Sequence, residues 1–292
     1  MGIALRRRRG SAAELIGLGA GLLLAAPVLA GIGYAAAASL GVAGPGASPA
    51  SVERIERVLT ESATWRGLAL TLWVAAVATA LAMAGAVLVA VLFRGAGWLD
   101  RAARSLAVLP LPVPHLVAGA LGVWLLGQSG EIARVLAAVG AVRMPAEVPA
   151  LVYDRWGIGL ALTMAWKESA FLAVVAMALL ATRSLDVEEA ARTLGAGPLQ
   201  TFVRITWPIL WRGLLPAVIA VFVFVAGSYE AASLLAPSDP LVLPLLVADR
   251  ASDPDLGRRG DAYVASLLLL GIAVLAVVAH EWTRARWEPL DP

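Results

Sequence analysis

The sequence contains no cysteine, only two histidines, and a single lysine, Lys167, among its 292 residues. Without cysteine there can be no disulfide bond, no thiolate metal site and no cysteine nucleophile. His115 and His280 would lack partners for a histidine-based metal site. Charged residues are scarce too. They make up 15% of the chain, against about 25% in an average soluble domain. These deficits exclude a disulfide-stabilised secreted domain.

Apolar residues are what the chain has in excess. They make up 60% of it, against about 45–50% in soluble domains, and the mean hydropathy is +0.81. A helix needs about 20 apolar residues to cross a bilayer. Six stretches approach that length, at about residues 11–40, 68–93, 106–126, 156–181, 209–236 and 263–281. We therefore predict an all-α, polytopic membrane protein with six transmembrane helices.

Arginine distribution predicts the orientation of these spans. Arg6–Arg9 precede the first span, and arginines are more frequent in the loops on that side than in the alternate loops. Because short cytoplasmic loops are enriched in Lys and Arg, we expect both termini in the cytoplasm. The first apolar run is about twice as long as the core of a signal peptide, so we interpret it as a retained helix.

Three prolines at alternate positions mark the start of the third span, in the stretch LPLPVPH, Leu109–His115. Proline removes a backbone hydrogen bond and clashes with the preceding turn of a helix. We expect this part of the chain to be unwound or kinked. At membrane depth, such backbone is tolerated only inside protein or beside a water-filled cavity.

The loop between the fourth and fifth spans reads DVEEAARTLGAGPLQTFVRITWP, Asp186–Pro208. An apolar face at i, i+3, i+4 and i+7 predicts a first short helix, capped by Asp186 and ended by Gly195. A second helix begins at Pro198, carries the same spacing at Leu199, Phe202, Val203 and Thr206, and ends at Pro208. The loop either packs against the protein's own helix ends or fits a groove on a cytosolic partner.

This loop resembles the EAA signature of binding-protein-dependent ABC importer permeases, inner-membrane subunits with the type I, MetI-like fold. The signature is EAA, three residues, Gly, nine residues, Ile, and Pro three positions later. The matching residues are Glu189, Ala190, Ala191, Gly195, Ile205 and Pro208. Trp207 stands where leucine is usual. The stretch AWKESAF, Ala165–Phe171, is also similar to these permeases, with Ala170 in place of a frequent proline.

The resemblance covers about residues 66–282. It implies a permease domain there, preceded by an extra helix and outer loop at 1–65 and followed by a cytoplasmic tail at 283–292. Tyr229 and Glu230, followed by PSDPLVLPLLV, are similar to the polyamine, iron, thiamine and phosphonate branch of the family.

The resemblance also implies partners and a mechanism. In this family the EAA loop forms coupling helices that dock on an ATPase subunit. Two ATPase subunits close on ATP and rock two permeases, of the same or homologous chain, between inward- and outward-open forms. An extracytoplasmic solute-binding protein delivers the solute, and the remaining contacts are with membrane lipid, with none to nucleic acid.

This chain lacks the G-x-x-x-x-G-K-[ST] loop that binds ATP, because Lys167 lies in WKES without a preceding glycine. We therefore expect it to bind no cofactor and to catalyse no reaction. ATP and Mg²⁺ would be used by the partner ATPase.

Charged residues inside the spans are candidates for the translocation pathway. Lys167 and Glu168 lie about ten residues into the fourth span, where a charge costs about 2.5–3.5 kcal/mol. They line the route or pair with another helix, and the residues alone leave both possibilities open. Tyr229 and Glu230 belong to a gate, or Glu230 is an interfacial carboxylate. His115 touches the pathway or is a hydrogen-bonded packing residue.

The sequence thus predicts a permease subunit that forms half of a transmembrane pathway and works by alternating access. We expect a small polar solute of the polyamine, thiamine, iron, phosphonate or sugar class. One alternative is a membrane-embedded enzyme, for which Lys167, Glu168 and Glu230 are the available catalytic residues. Another is an ATP-independent channel or scaffold, for which Glu189 and Gly195 would be dispensable. We predict no metal site.

Overall fold

The structure, a computed structural model, describes residues 4–44, 46–47, 49–183 and 185–287, and their regular structure is helical. The helices are α1 (Ala4–Ser39), α2 (Glu53–Thr60), α3 (Ser62–Leu92), α4 (Trp98–Val108), α5 (His115–Leu126), α6 (Glu131–Ala138), α7 (Ile158–Arg183), α8 (Leu185–Thr193), α9 (Pro198–Thr201), α10 (Trp207–Gly227), α11 (Glu230–Leu235), α12 (Leu243–Ala251), α13 (Leu256–Arg259) and α14 (Asp261–Trp287). A short 3₁₀ turn covers Pro145–Glu147.

Within these residues, six helical stretches are long and apolar enough to cross a membrane. They are Glu14–Ser39, Ser62–Leu92, His115–Ala138, Ile158–Thr182, Pro198–Gly227 and Leu256–Trp282. The predicted all-α, six-span architecture is confirmed. The cytoplasmic placement of the termini stays a prediction, and residues 288–292 of the predicted tail lie outside the described residues.

The proline segment interrupts the helix as predicted. α4 ends at Val108 and α5 begins at His115, so the third span starts later than residue 106. Pro114 occupies the position before α5 in an extended conformation. Its carbonyl accepts the first helical hydrogen bond, from the N–H of Ala118 at 2.9 Å.

The prediction of one continuous fifth span to residue 236 is wrong. α10 ends at Gly227, Ser228 is extended, and the chain resumes as the short helix α11. The turn allows the small residues Ala231 and Ala232 of α11 to be buried. Apolar residues resume directly after Ser228, Tyr229 and Glu230, so an apolar run read over the whole segment passes across the break.

The chain divides into two compact units, and each is described by itself. The first unit comprises Met1–Thr60 and Val247–Leu268, and the second comprises Glu61–Leu246 and Leu269–Pro292. The EAA loop and every candidate pathway residue belong to the second unit.

An arginine pair on α2 organises the first unit. Arg57 donates two hydrogen bonds to the Asp261 carboxylate, at 2.8 and 3.1 Å. These bonds favour the charged guanidinium and raise the pKa of Arg57 above its ordinary value. Arg54 donates to the carbonyl oxygens of Ala38 and Gly257. The pair thereby holds α2 against the end of α1 and the segment before α14.

The core of the second unit is built on close packing of α3 against α7. Alanines recur at every fourth position of α3 and are buried there, at Ala78, Ala82, Ala86 and Ala90. Positions four apart share one helix face, and small residues allow two backbones in a membrane to approach closely. The facing residues of α7 are Leu160, Ala161, Met164, Leu172 and Ala173.

Two glycines fix α5 against its neighbours. A Cβ on Gly119 would lie 3.2 Å from the Cα of Ala231 in α11, and one on Gly122 would collide with the hydroxyl of Thr163 in α7. Such close approach requires glycine. The start of α5, with His115, is therefore held at a defined position beside α7.

Candidate functional site

A buried polar pair connects the third and fourth spans. His115 Nε2 lies 2.9 Å from Glu168 Oε1, and the two side chains are 24% and 9% exposed. The imidazole also packs on Phe224 of α10, with ring centroids 4.6 Å apart. Glu168 is thus partnered inside its own chain, and the pair brings residues of three spans together.

Lys167 contacts the same region from the adjacent face of α7. Its side chain is buried, and Nζ lies 3.4 Å from the carbonyl oxygen of Leu111 in the proline segment. Prolines have no N–H, so the segment leaves carbonyl oxygens available to a side chain. Neighbouring residues of a helix point about 100° apart, yet both reach the stretch Leu109–His115: Lys167 contacts Leu111 and Glu168 contacts His115.

Tyr229 and Glu230 are placed differently. Both side chains are exposed, and they lie where α10 gives way to α11. The structure therefore separates the five candidate pathway residues into three that contact other parts of the chain, of which Lys167 and Glu168 are buried and His115 is partly buried, and two that are exposed. Their roles in transport remain predictions.

The EAA loop forms a helix, a sharp turn and a second helix. Gly195 has φ +88°, a left-handed conformation that glycine adopts without strain. The N–H of Gly195 bonds to Arg192 O, and that of Ala196 to Ala191 O, both at 3.0 Å. These two bonds are the Schellman arrangement that ends helices. Asp186 is the second residue of α8, which begins at Leu185, so the prediction that Asp186 caps this helix is wrong.

The second helix does not end at Pro208. α9 continues through a π-turn at Phe202–Thr206 directly into α10. In that turn the Trp207 N–H bonds to the carbonyl of Phe202, five residues earlier. The wider turn accommodates Pro208, which has no N–H and would clash with a regular preceding turn. The loop is consequently continuous with the fifth span.

Large apolar side chains of the loop are turned toward solvent. Leu194 is 89% exposed and Leu199 is 75% exposed, and Val187 and Val203 are exposed as well. Glu189 and Ala190 of the EAA signature are also exposed. The predicted single face from Leu199 to Thr206 is wrong, because Thr206 is buried and the π-turn changes the helical phase.

Sequence reasoning missed Glu188, the buried carboxylate of this loop. Glu188 Oε2 lies 2.7 Å from Arg94 Nη1, and Thr206 Oγ1 donates to Oε1 at 2.6 Å. The doublet Glu188–Glu189 gives no sign of which glutamate turns inward. The available signal was Arg192, four residues later on the same helix face, which lies 3.7 Å from Glu188.

The family of binding-protein-dependent transport system inner membrane components matches residues 82–287. The chain belongs to this family. It is the permease subunit of an ABC importer, and its relatives are transport permeases.

Two curated relatives illustrate the range of such permeases. The molybdenum transport system permease protein ModB of Mycobacterium tuberculosis is 30% identical over 230 residues, which cover 77% of this permease and 81% of ModB. The maltose/maltodextrin permease MalF of Escherichia coli K12 is 29% identical over 204 residues, covering 63% of this permease and 38% of MalF.

The fold also matches a solved structure. A chain of a bacterial ABC transporter involved in the import of the acidic polysaccharide alginate superimposes with a TM-score of 0.73 over 97% of both chains, at 16% identity. At that identity the likeness concerns the fold alone.

Proposed function

We propose that this permease provides half of a translocation pathway across the bacterial cytoplasmic membrane and is driven by a separate ATPase held at the EAA loop. A second permease, identical or homologous, completes the pathway. Two ATPase subunits supply the ATP- and Mg²⁺-dependent motion, and an extracytoplasmic protein delivers the solute. Both termini and the EAA loop then face the cytoplasm.

The exposed apolar surface of the EAA loop carries this proposal. Leu194 and Leu199 flank the Gly195 turn, and both extend into solvent. An exposed apolar patch rimmed by polar residues is typical of a protein interaction site. Leu194 lies between the fourth and fifth candidate spans, and Leu199 lies in the first turn of the fifth. The patch is thus at the end of a span, where a cytosolic partner would cover it.

The division among the pathway candidates supports a revised assignment. His115, Lys167 and Glu168 are satisfied or buried within the chain, so we assign them to holding the proline segment in place. Tyr229 and Glu230 are exposed at a helix break. We assign contact with the pathway to these two residues.

For the solute, a small polar molecule remains the proposal. The molybdenum transport permease ModB is similar over most of both chains, which makes the molybdate oxyanion the first probe. Maltodextrins, polyamines, thiamine, iron and phosphonates follow. Uptake of each radiolabelled solute by cells with and without this permease tests the class directly.

The docking role is tested at the loop surface. Leu194→Ser or Leu199→Ser should reduce co-purification of the ATPase with the permease, while membrane insertion is unaffected. Glu189→Lys and Gly195→Asp should abolish solute-stimulated ATP hydrolysis in the reconstituted complex. Val139→Ser is the matched control, since Val139 is also largely exposed but ends α6. Normal coupling in all four loop variants would refute the docking role.

A further inference from the structure

Glu188 is the most firmly held side chain of the EAA loop. Its carboxylate is 4% exposed, although Asp186, Val187 and Glu189 around it on α8 are exposed. One oxygen accepts the hydroxyl of Thr206 and the other meets the guanidinium of Arg94. Because both oxygens are engaged, the side chain has one defined orientation.

Arg94 is itself fixed to the third helix. It follows the end of α3 at Leu92 by two residues, and its Nε donates to the carbonyl oxygen of Ala90 at 3.3 Å. Its side chain is 26% exposed, so the ion pair with Glu188 is largely shielded from water. The bond from Arg94 to Glu188 is 2.7 Å long, and ion-paired hydrogen bonds of such length are roughly twice as strong as neutral ones.

One carboxylate therefore joins three segments that are distant in sequence. Arg94 belongs to the end of α3, Glu188 to α8, and Thr206 to the π-turn before α10. The loop is connected to α7 and α10 by the backbone. Its connection to α3 at this point consists of side chains, and α3 is the helix whose alanine face packs against α7.

We propose that Glu188 is a positioning residue that makes the EAA loop and the end of α3 move as one body. The inference rests on the proposed function, in which the ATPase moves the loop. When the loop moves, it then moves α3 through the ion pair. It moves α10 through the continuous backbone. Without the pair, the loop moves while α3 stays behind.

Spin-label distances test this directly, because the chain has no native cysteine. Leu88→Cys on α3 and Gln200→Cys on α9 place labels at two exposed positions. The full permease is measured in nanodiscs, alone and in complex with its ATPase, both without nucleotide and trapped with ATP, Mg²⁺ and vanadate. When the ion pair is intact, the distance between the two labels should be narrowly distributed and the same in every state.

Glu188→Gln should broaden this distance in the isolated permease and shift it between the two nucleotide states. The double variant Arg94→Gln/Glu188→Gln, which leaves no buried charge uncompensated, should do the same if the single variant folds poorly. Glu131→Gln is the control, since it breaks the exposed pair of Glu131 and Arg134 and should leave the distance unchanged.

Two results overturn the inference. One is a distance that changes between nucleotide states while the ion pair is intact, because the two segments are then not one body. The other is a narrow, state-independent distance in both Gln variants, because the pair is then not required. Failure of the proposed function looks different: the ATPase does not assemble with the unmodified loop at all.

Discussion

Two buried carboxylates in this permease, Glu168 and Glu188, have opposite surroundings. Glu168 lies within a span and pairs with His115 at 2.9 Å, among apolar helices. Glu188 lies in the EAA loop and pairs with Arg94 at 2.7 Å, while its apolar neighbours face solvent. In the span, the polar groups of Lys167 and Glu168 are buried against other residues of the same chain. In the loop the chain buries Glu188, Thr201 and Thr206 and leaves Leu194 and Leu199 exposed.

Removing Arg94 should have the largest effect on stability. Arg94→Ala leaves the buried Glu188 carboxylate with only the more distant Arg192, at 3.7 Å, as a counter-charge, which we expect to cost about 3 kcal/mol of unfolding free energy. Glu188→Ala should cost less, because the Arg94 side chain, 26% exposed, is the less buried member of the pair. Unfolding of the purified permease in mixed micelles measures both. Equal losses would mean that Glu188 is not the buried member of the pair.

The span pair should come next. His115→Leu leaves Glu168 buried without its hydrogen-bond partner, and we expect a loss of about 2 kcal/mol. Lys167→Met is the comparison, because the side chain of Lys167 has one neutral partner at 3.4 Å and methionine is similar in length. That change should be close to neutral. A large loss for Lys167→Met, measured by the same unfolding assay, would show that the ammonium group has a stronger role than its geometry indicates.

Replacing either of two glycines of the loop by alanine should have a smaller effect on stability, and the two replacements differ only in the backbone conformation at the site. Gly195 has φ +88° and open space around it, so Gly195→Ala introduces backbone strain of about 1 kcal/mol and no clash. Gly197 also has open space but φ −72°, so Gly197→Ala should be tolerated. Co-purification of the ATPase and thermal stability report on both. Indistinguishable behaviour of the two variants contradicts a required left-handed turn.

The smallest effect on stability is expected at the exposed helix break. Glu230→Gln should change unfolding free energy by no more than about 0.5 kcal/mol, as is usual at exposed positions. Uptake kinetics should change, while binding of the ATPase stays the same. If uptake by the variant matches that of the parent permease, Glu230 has no role in the pathway.

Much of the fold could be predicted because apolar runs and breakers act locally. Six spans follow from segment length, and the interruption before His115 follows from three prolines. The end of α10 at Gly227 was not predicted in this way, since apolar residues resume soon after Gly227, at Ala231. The break depends on α11 packing its alanines against a neighbouring helix, which is a tertiary contact.

In the candidate site, too, some features follow from local sequence and others depend on tertiary contacts. By itself the sequence determined the EAA spacing, the Gly195 turn and the presence of charges inside a span, because these are matters of residue type and interval. Only the tertiary structure showed that Glu188 is buried while Glu189 is exposed. It also showed that Lys167 and Glu168 contact the proline segment. Which of two adjacent side chains is buried depends on what the rest of the chain brings beside it: here Arg94, a long way back in the sequence.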